Sequence, residues 1–213
     1  MNHYLMLSAF VSALAVTGVG LSADEPMWAG GEGKLEVTST TFRANGALPD
    51  SMIYNFNYPN PTSPNICTAD GSAGGDESPQ LQWAHVPKHT RSFVVVMYDT
   101  TASFTHWGMY NISKDLRALP EGAGVAGSSY GTQITNDFPD PNYDGPCPPQ
   151  GVAPDAHHYV FTVYALDKEL KLAGSVNFPA NASTLYQALI DAARDGHILA
   201  SGSIASDYSA TPP

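Results

Sequence analysis

Polar side chains that can hold an oxyanion stand at the ends of three apolar segments of this sequence. Asp99 ends the first segment, His106 precedes the second, and His157 and Tyr159 open the third. Imidazole N–H groups and a tyrosine hydroxyl donate hydrogen bonds, which a phosphate-type anion needs in number. A carboxylate would repel a dianion, so we expect Asp99 to accept a hydrogen bond from His106 or His157, which fixes the tautomer and favours a protonated, donor-rich imidazole.

The same residue types permit other interpretations. One aspartate and two histidines resemble a two-histidine, one-carboxylate set for iron, so a metalloenzyme is one alternative. The histidines also fit the role of ordinary half-buried side chains that hold strand ends. His158 alternates to the opposite side of an extended chain from His157, so we expect it on the surface or in a structural role.

The three apolar segments are predicted to be strands that position these residues. Residues 92–98, 107–112 and 158–166 are rich in β-branched and aromatic side chains and are bounded by turn residues. In the third, the odd-numbered residues 159–165 and the even-numbered residues 160–164 are both largely apolar. Because both faces must then be covered, this strand should lie inside a sandwich.

Other periodic segments complete a mainly β architecture. Residues 37–42 are expected to form a first strand, and residues 198–205 a closing one. One helix is predicted over residues 183–195, with Asn181 or Ser183 as its N-cap and Gly196 at its end. Strands do not alternate with helices, so the pattern favours a β-sandwich with a peripheral helix over a doubly wound α/β fold.

Composition and charge exclude several classes of partner. The 213 residues carry a net charge of −11 and have no run of Lys or Arg. Binding to nucleic acid or docking on an anionic membrane needs a basic surface, so neither is expected. Hydrophobic residues make up 43% of the chain, enough for the core of one domain.

The N-terminus is interpreted as an export signal. Residues 5–21 form an uncharged apolar run, somewhat short for a membrane span, and cleavage after Ala23 gives a signal peptide over residues 1–23. An uncleaved N-terminal anchor is the alternative. Residues 24–34 are then a flexible lead-in, residues 35–213 the folded domain, and the mature protein is periplasmic or secreted with no stable membrane anchor. In an exported chain Cys67 and Cys147 permit one disulfide, although the sequence leaves open whether they meet.

Several motifs in a fixed order resemble a known family. They are SPQLQW at residues 78–83, the strand that ends at Asp99, His106-Trp107, GPCPP at residues 145–149, and His157-His158-Tyr159 before VFTVYALD. Together they resemble the phosphatidylethanolamine-binding proteins, most of all the bacterial-type YbhB/YbcL branch, also called Raf-kinase-inhibitor-like. The resemblance extends over about residues 35–208. It implies a β-sandwich with one or two peripheral helices and a small cavity that binds phosphate-type anions or phospholipid headgroups, without catalysis, metal or cofactor.

The resemblance also implies the ligand-binding residues and a second function. Carried over by motif, the pocket residues are Asp99, His106, Pro148, His157 and Tyr159, with Tyr143 and Gly145 on the rim. Prolines in GPCPP should stiffen this loop before a ligand arrives. The alternative function is an exported protein-interaction module, such as a protease inhibitor.

Two departures from the family pattern concern the ligand. The family's Asp-Pro-Asp-x-Pro is DTTAS at residues 99–103, and its His-Arg-Tyr is residues 157–159 with histidine in the middle. One acid, both prolines and one fixed positive charge are therefore lost. A kinase-inhibitor role, which belongs to eukaryotic relatives, is not carried over.

Overall fold

The computed structural model describes residues 33–175 and 177–212. The predicted signal peptide and nearly all of the predicted lead-in lie outside these residues. In the described part the elements follow in this order: β1 (Gly33–Lys34), β2 (Glu36–Thr38), a 3-10 helix (Asp50–Met52), β3 (Leu81–Ala84), β4 (Ser92–Asp99), β5 (Phe104–Ser113), β6 (Ala118–Leu119), β7 (Thr132–Gln133), β8 (His157–Leu166), α1 (Ala182–Arg194) and β9 (Ile198–Tyr208). None of the helices described is both long enough and apolar enough to cross a membrane.

Two sheets form the predicted mainly β sandwich. The larger sheet has the order β1-β9-β8-β4-β5-β7, and the smaller has the order β2-β3-β6. Within the larger sheet β4 pairs antiparallel with both β5 and β8, and β8 pairs antiparallel with β9. β4 and β8 are therefore interior strands of this sheet, and nearly all of their residues on both faces are buried, as their continuous apolar sequences predict.

Alternate residues of the central strands enter two separate cores. Phe161 and Val163 of β8 pack between the two sheets, with Trp83 of β3 among their neighbours in that core. Tyr164 and Leu166 face the other way and pack with the buried side of α1. The two-residue period predicted for β8 is thus confirmed: the odd-numbered residues 159–165 pack between the sheets, and Tyr164 and Leu166 pack on the helix side.

The predicted helix is present and begins one residue earlier than expected. The Asn181 side chain accepts from the Thr184 backbone N–H at 3.1 Å, and the Thr184 hydroxyl accepts from the Asn181 N–H at 2.9 Å. This reciprocal capping box satisfies two donors at the start of α1. Gly196 follows the helix with a φ of +74°, a conformation in which glycine carries no steric cost.

Several strand boundaries differ from the prediction, among them the end of β9, which extends to Tyr208 instead of residue 205, the start of β5 and the end of β2. β5 begins at Phe104, three residues before the predicted start at residue 107, so His106 lies inside the strand. β2 ends at Thr38, well short of the predicted end at residue 42. There Ser39 turns the chain, because its hydroxyl donates to the Gln80 carbonyl at 2.5 Å and accepts from the Thr41 N–H at 3.0 Å.

Candidate functional site

Sheet pairing brings the three predicted polar segments to one edge of the large sheet. Asp99 at the end of β4 is paired with Tyr159 near the start of β8 and with Phe104 at the start of β5. The ring centroids of His106 and Tyr159 are 5.3 Å apart, and those of His157 and Tyr159 are 6.4 Å apart. We call Asp99, His106, His157 and Tyr159 the strand-end site.

A β-bulge directs His106 into this site. Met97 of β4 is paired with Trp107 of β5, but the next residue, Tyr98, is paired with Thr105, so His106 is the extra residue. The Thr105 hydroxyl lies 2.9 Å from the Tyr186 hydroxyl of α1, whereas Trp107 packs in the core between the sheets. His106 contacts Tyr159 and therefore shares the face of Trp107. A bulge commonly re-aims a side chain in this way.

Asp99 and His157 form a buried hydrogen-bonded pair. His157 Nδ1 donates to Asp99 Oδ2 at 2.6 Å, and the two side chains are 11% and 2% exposed, respectively. The other carboxylate oxygen accepts from the backbone N–H groups of Thr101 and Ala102 at 2.8 and 3.0 Å. Asp99 is thus the acceptor for an imidazole, one of the two arrangements expected, and it fixes Nδ1 as the protonated nitrogen of His157.

His106 is held differently from His157. Its Nδ1 lies 2.9 Å from the backbone carbonyl oxygen of Asp144, which can only accept, so Nδ1 carries the proton. Burial lowers the pKa of His106 to about 4, against the opposing effects of the Asp144 carbonyl and the Asp99 carboxylate. The ring is therefore neutral near pH 7. The sequence predicted a protonated imidazole for the histidine that bonds Asp99. His106 bonds a carbonyl instead, and desolvation outweighs the nearby negative charge, so it is not a protonated donor.

Tyr159 brings an unpaired hydroxyl to the site. Only 1% of the residue is exposed, and its hydroxyl has no hydrogen-bond partner among the described residues. The Cys147 backbone and the Asp99 carboxylate are near enough to influence the Tyr159 pKa, which burial raises above its usual value, but neither makes a hydrogen bond of normal geometry. A buried hydroxyl without a partner costs about 1–3 kcal/mol, so this group favours a bound acceptor.

Residues 143–149, which we call the pocket loop, contain the other three predicted residues. Tyr143 was expected on the rim but is 2% exposed, and its hydroxyl donates to the Met52 carbonyl at 2.9 Å. Gly145 lies so close to the same segment that an added Cβ would be 2.0 Å from the Met52 oxygen. Pro148 is buried. Tyr143 and Gly145 therefore anchor the pocket loop against residues 52–54.

A disulfide ties the pocket loop to the long irregular segment that precedes β3. Cys147 is bonded to Cys67, which lies 80 residues earlier in the chain. Two hydrogen bonds reinforce this junction: Tyr208 donates its hydroxyl proton to the Cys67 carbonyl at 2.9 Å, and Gln150 Nε2 donates to the Thr68 carbonyl at 3.1 Å. The pocket loop is thus fixed from two sides.

A polar network that the sequence did not indicate supports His106 and the pocket loop. Asn136 Nδ2 donates to the His106 carbonyl at 3.0 Å and to Asp144 Oδ2 at 2.5 Å. The Gly145 N–H donates to Asp76 Oδ1 at 2.7 Å. Burial raises the pKa of Asp76 to about 6, and the charges of Asp144 and Asp140 add to this effect. These residues lie on loops, where no periodic pattern marks them.

Aromatic rings extend from His106 toward the surface. The Phe104 and Phe138 centroids lie 5.0 and 5.5 Å from the imidazole, and Tyr54 stacks on Phe138 at 4.8 Å. Beyond Tyr54 the series continues to Phe56 at 6.2 Å. One side of the strand-end site is therefore an apolar aromatic wall, which excludes water and strengthens polar interactions beside it.

The described residues contain no set of side chains arranged as ligands for a metal ion, which was the alternative interpretation. No group of three or more His, Cys, Asp and Glu side chains in residues 33–175 and 177–212 is arranged to hold a metal ion. Asp99 and His157 bond to each other, and His106 Nδ1 bonds to a carbonyl.

Comparison with known proteins gives the family. The sequence matches the phosphatidylethanolamine-binding protein family over residues 38–209. A UPF0098 protein of Aquifex aeolicus is 35% identical over 177 residues, covering 73% of this chain and 98% of the relative. UPF0098 protein YbhB of Escherichia coli is 38% identical over 142 residues, 63% of this chain and 80% of the relative. The crystal structure of Escherichia coli YbcL, described as a member of the mammalian PEBP family, superimposes with a TM-score of 0.64 at 28% identity, covering 83% of this chain and 98% of YbcL. This chain belongs to the phosphatidylethanolamine-binding protein family and resembles its YbhB/YbcL members.

Proposed function

We propose that this protein is an exported, non-enzymatic binding protein whose strand-end site holds a phosphate-type anion or a phospholipid headgroup. The observation that carries the proposal is the convergence of Asp99, His106, His157 and Tyr159 from three strands onto one buried edge beside an anchored loop. Such a site is formed before the ligand arrives, so little conformational entropy is lost on binding.

Two groups supply the attraction for an anion. Tyr159 offers a buried hydroxyl that donates to a ligand oxygen. His157 has its Nδ1 occupied by Asp99, so its Nε2 is left to face a ligand and donates when the ring is protonated. The Asp99 carboxylate then balances the imidazolium charge, and a single oxyanion adds no large uncompensated charge to the site.

Two candidate nucleophiles among the described residues are not arranged for catalysis, which supports the non-enzymatic part of the proposal. Cys147 lies nearest to the site, but its sulfur is in the disulfide. Residues 127–131 match the G-x-S-x-G pattern, yet they lie in a turn and loop and not between a strand and a helix, where a nucleophile elbow is built.

Export is supported by the disulfide and by the N-terminal apolar run. Disulfides form and persist in oxidising compartments, as expected for a periplasmic or secreted protein. N-terminal sequencing of the mature protein tests this: a terminus at Asp24 supports export with cleavage after Ala23, and an intact Met1 contradicts it.

An anion titration tests the binding function. Protein labelled with 15N at histidine is titrated with inorganic phosphate and with phosphoethanolamine, and vesicles that display the same headgroup form a separate arm. We expect saturable shifts of the His157 and His106 ring signals, with exposed His85 as the internal control. Equal shifts at all histidines, or none, would contradict an anion site here. A response to vesicles and headgroup but not to inorganic phosphate would assign the lipid as the ligand.

A protein-interaction role is the second candidate. Phe56, Tyr58 and Ile66 are 44%, 64% and 37% exposed, and all three lie on the segment that the disulfide joins to the pocket loop. Aromatic side chains of this kind are typical of protein contacts. Assays against a panel of extracellular serine proteases test it: inhibition that is lost in Tyr58→Ala supports this candidate, and no inhibition of any protease contradicts it.

A further inference from the structure

The hydrogen bonds around His106 fix which of its nitrogens can meet a ligand. The Asp144 carbonyl accepts from Nδ1 at 2.9 Å, and the Asp144 N–H in turn donates to the His106 carbonyl at 3.2 Å. Asn136 bonds the same His106 carbonyl and the Asp144 side chain. This two-way attachment holds the ring rigidly with its proton on Nδ1.

Nε2 of the same ring then carries a lone pair and no proton. Within the residues that the structure describes, the hydrogen bond of the ring is made through Nδ1 to the Asp144 carbonyl, and the Gly145 backbone is close enough to raise the pKa of the ring. The neighbouring Tyr159 hydroxyl does not donate to the ring. The titratable groups facing His106 are Asp99 on β4, Tyr159 on β8, and Asp137 and Asp144 after β7. The ring is 3% exposed, and burial, which lowers its pKa to about 4, keeps it neutral in this surrounding.

We propose that His106 Nε2 is a hydrogen-bond acceptor of the strand-end site, and that the site therefore selects oxyanions that carry a proton, such as the monoanion of a phosphate monoester. The inference rests on the proposed anion-binding function and specifies its ligand. A P–OH group donates to Nε2, while the other phosphoryl oxygens accept from Tyr159 and His157. A dianion or a sulfate ester has no proton to donate. The lone pairs of its oxygens and the lone pair of Nε2 then repel each other.

The negative charge of Asp99 also favours a protonated ligand. Asp99 already places one carboxylate within electrostatic reach of His106. A second negative charge on the ligand would be brought close to this carboxylate in a site of low polarity, where repulsion is strong. A proton on the ligand removes that charge and supplies the donor that Nε2 needs.

Methyl phosphate and methyl sulfate form a matched pair of probes. At pH 5 both are monoanions of nearly the same shape and differ by one acidic proton, because the second pKa of a phosphate monoester is about 6. His106 remains mostly neutral at that pH, since its pKa is about 4. One additional hydrogen bond in a buried site corresponds to about tenfold in affinity. Titration calorimetry should therefore show methyl phosphate binding about tenfold more tightly at pH 5.

The ratio of the two affinities should fall as the pH rises to 8. Methyl phosphate then loses its proton while methyl sulfate is unchanged, so methyl sulfate corrects for pH effects on the protein itself. In His106→Phe, which keeps a flat ring against Phe104 and Phe138, the ratio at pH 5 should fall to about one, and only the pH dependence caused by repulsion from Asp99 should remain. If that variant does not fold, 15N NMR of the wild type decides: the His106 Nε2 signal should move with methyl phosphate and stay with methyl sulfate.

Each outcome separates the inference from the function on which it rests. Equal affinity of the two probes at pH 5, or a ratio that does not change between pH 5 and 8, would overturn the selection of protonated oxyanions and leave anion binding intact. Binding of neither probe would overturn the proposed function as well.

Discussion

The substitution Asp99→Asn tests the buried pair at the centre of the site. The asparagine carbonyl oxygen can keep the hydrogen bonds from the Thr101 and Ala102 N–H groups, so the turn after β4 should persist. The amide nitrogen then faces His157 Nδ1, which in the wild type donates to Asp99 at 2.6 Å. Nδ1 must become the acceptor, and the charged partner of the imidazole is lost.

The size of the effect follows from the change of hydrogen-bond type. A hydrogen bond to a charged group contributes about 1.5–3 kcal/mol, and one between neutral groups about 0.5–1.5 kcal/mol. We therefore expect the free energy of unfolding to fall by about 1–1.5 kcal/mol at pH 7. Anion affinity should fall about tenfold, because the substitution removes the carboxylate that fixes the tautomer and orientation of the His157 ring.

The chain offers a matched control for this substitution. His158 Nδ1 and Asp207 Oδ1 are also 2.6 Å apart, but the Asp207 side chain is 69% exposed. Asp207→Asn should change the free energy of unfolding by less than about 0.5 kcal/mol and leave anion affinity unchanged. Urea denaturation and titration calorimetry on the two variants measure both quantities. The same small effects in both variants would refute the role given to the Asp99–His157 pair.

Three further perturbations test the parts that support the site. Gly145→Ala places a Cβ 2.0 Å from a carbonyl oxygen and should lower the free energy of unfolding, measured in urea, by about 2–3 kcal/mol. The control Gly151→Ala meets open space but has a φ of +67°, so it should lower the free energy of unfolding by about 1 kcal/mol. Equal losses in the two variants would contradict the close packing at Gly145. Replacing Cys67 and Cys147 together by serine should lower the free energy of unfolding by about 2–4 kcal/mol, and reduction of the wild type should do the same. An unchanged denaturation midpoint in either experiment would contradict a stabilising role for the disulfide. Asp76, with its folded pKa near 6, binds a proton more tightly in the native than in the unfolded chain, so it should make the wild type lose stability as the pH rises from 4 to 6. This contribution should be missing in Asp76→Asn, and superimposable stability–pH curves of variant and wild type would refute it.

The strands and the helix could be predicted because their signals are local. The run of β-branched residues that forms β4 and the two apolar faces of β8 needed no knowledge of their partners. The same holds for α1, whose capping residue Asn181 and terminating Gly196 stand next to it in the sequence. Polar residues at strand ends indicated the edge where the site lies.

The orientation of His106 could not be predicted in this way. Its side chain shares a face with Trp107 only because β5 carries one more residue than β4 between two pairing positions. This mismatch is a property of two strands together and not of either sequence. Its neutral state likewise depends on burial by Phe104 and Phe138, which the sequence does not reveal.

The contacts of loop residues also could not be predicted from the sequence. Tyr143 belongs to a recognisable motif, but its hydroxyl bonds to Met52, 91 residues away, so its place inside the loop depends on tertiary packing. Asn136 and Asp76 also act through contacts distant in sequence. The two cysteines permitted a bridge, and only the close approach of the two loops decides that they form it.

A crystal structure of the protein soaked with methyl phosphate at pH 5 would show directly where the anion binds. We expect a phosphoryl group at the strand-end site, with one oxygen about 2.7 Å from the Tyr159 hydroxyl and another within about 3.2 Å of His157 Nε2. Density for the anion elsewhere on the molecule, or none at this edge of the sheet under saturating conditions, would contradict it.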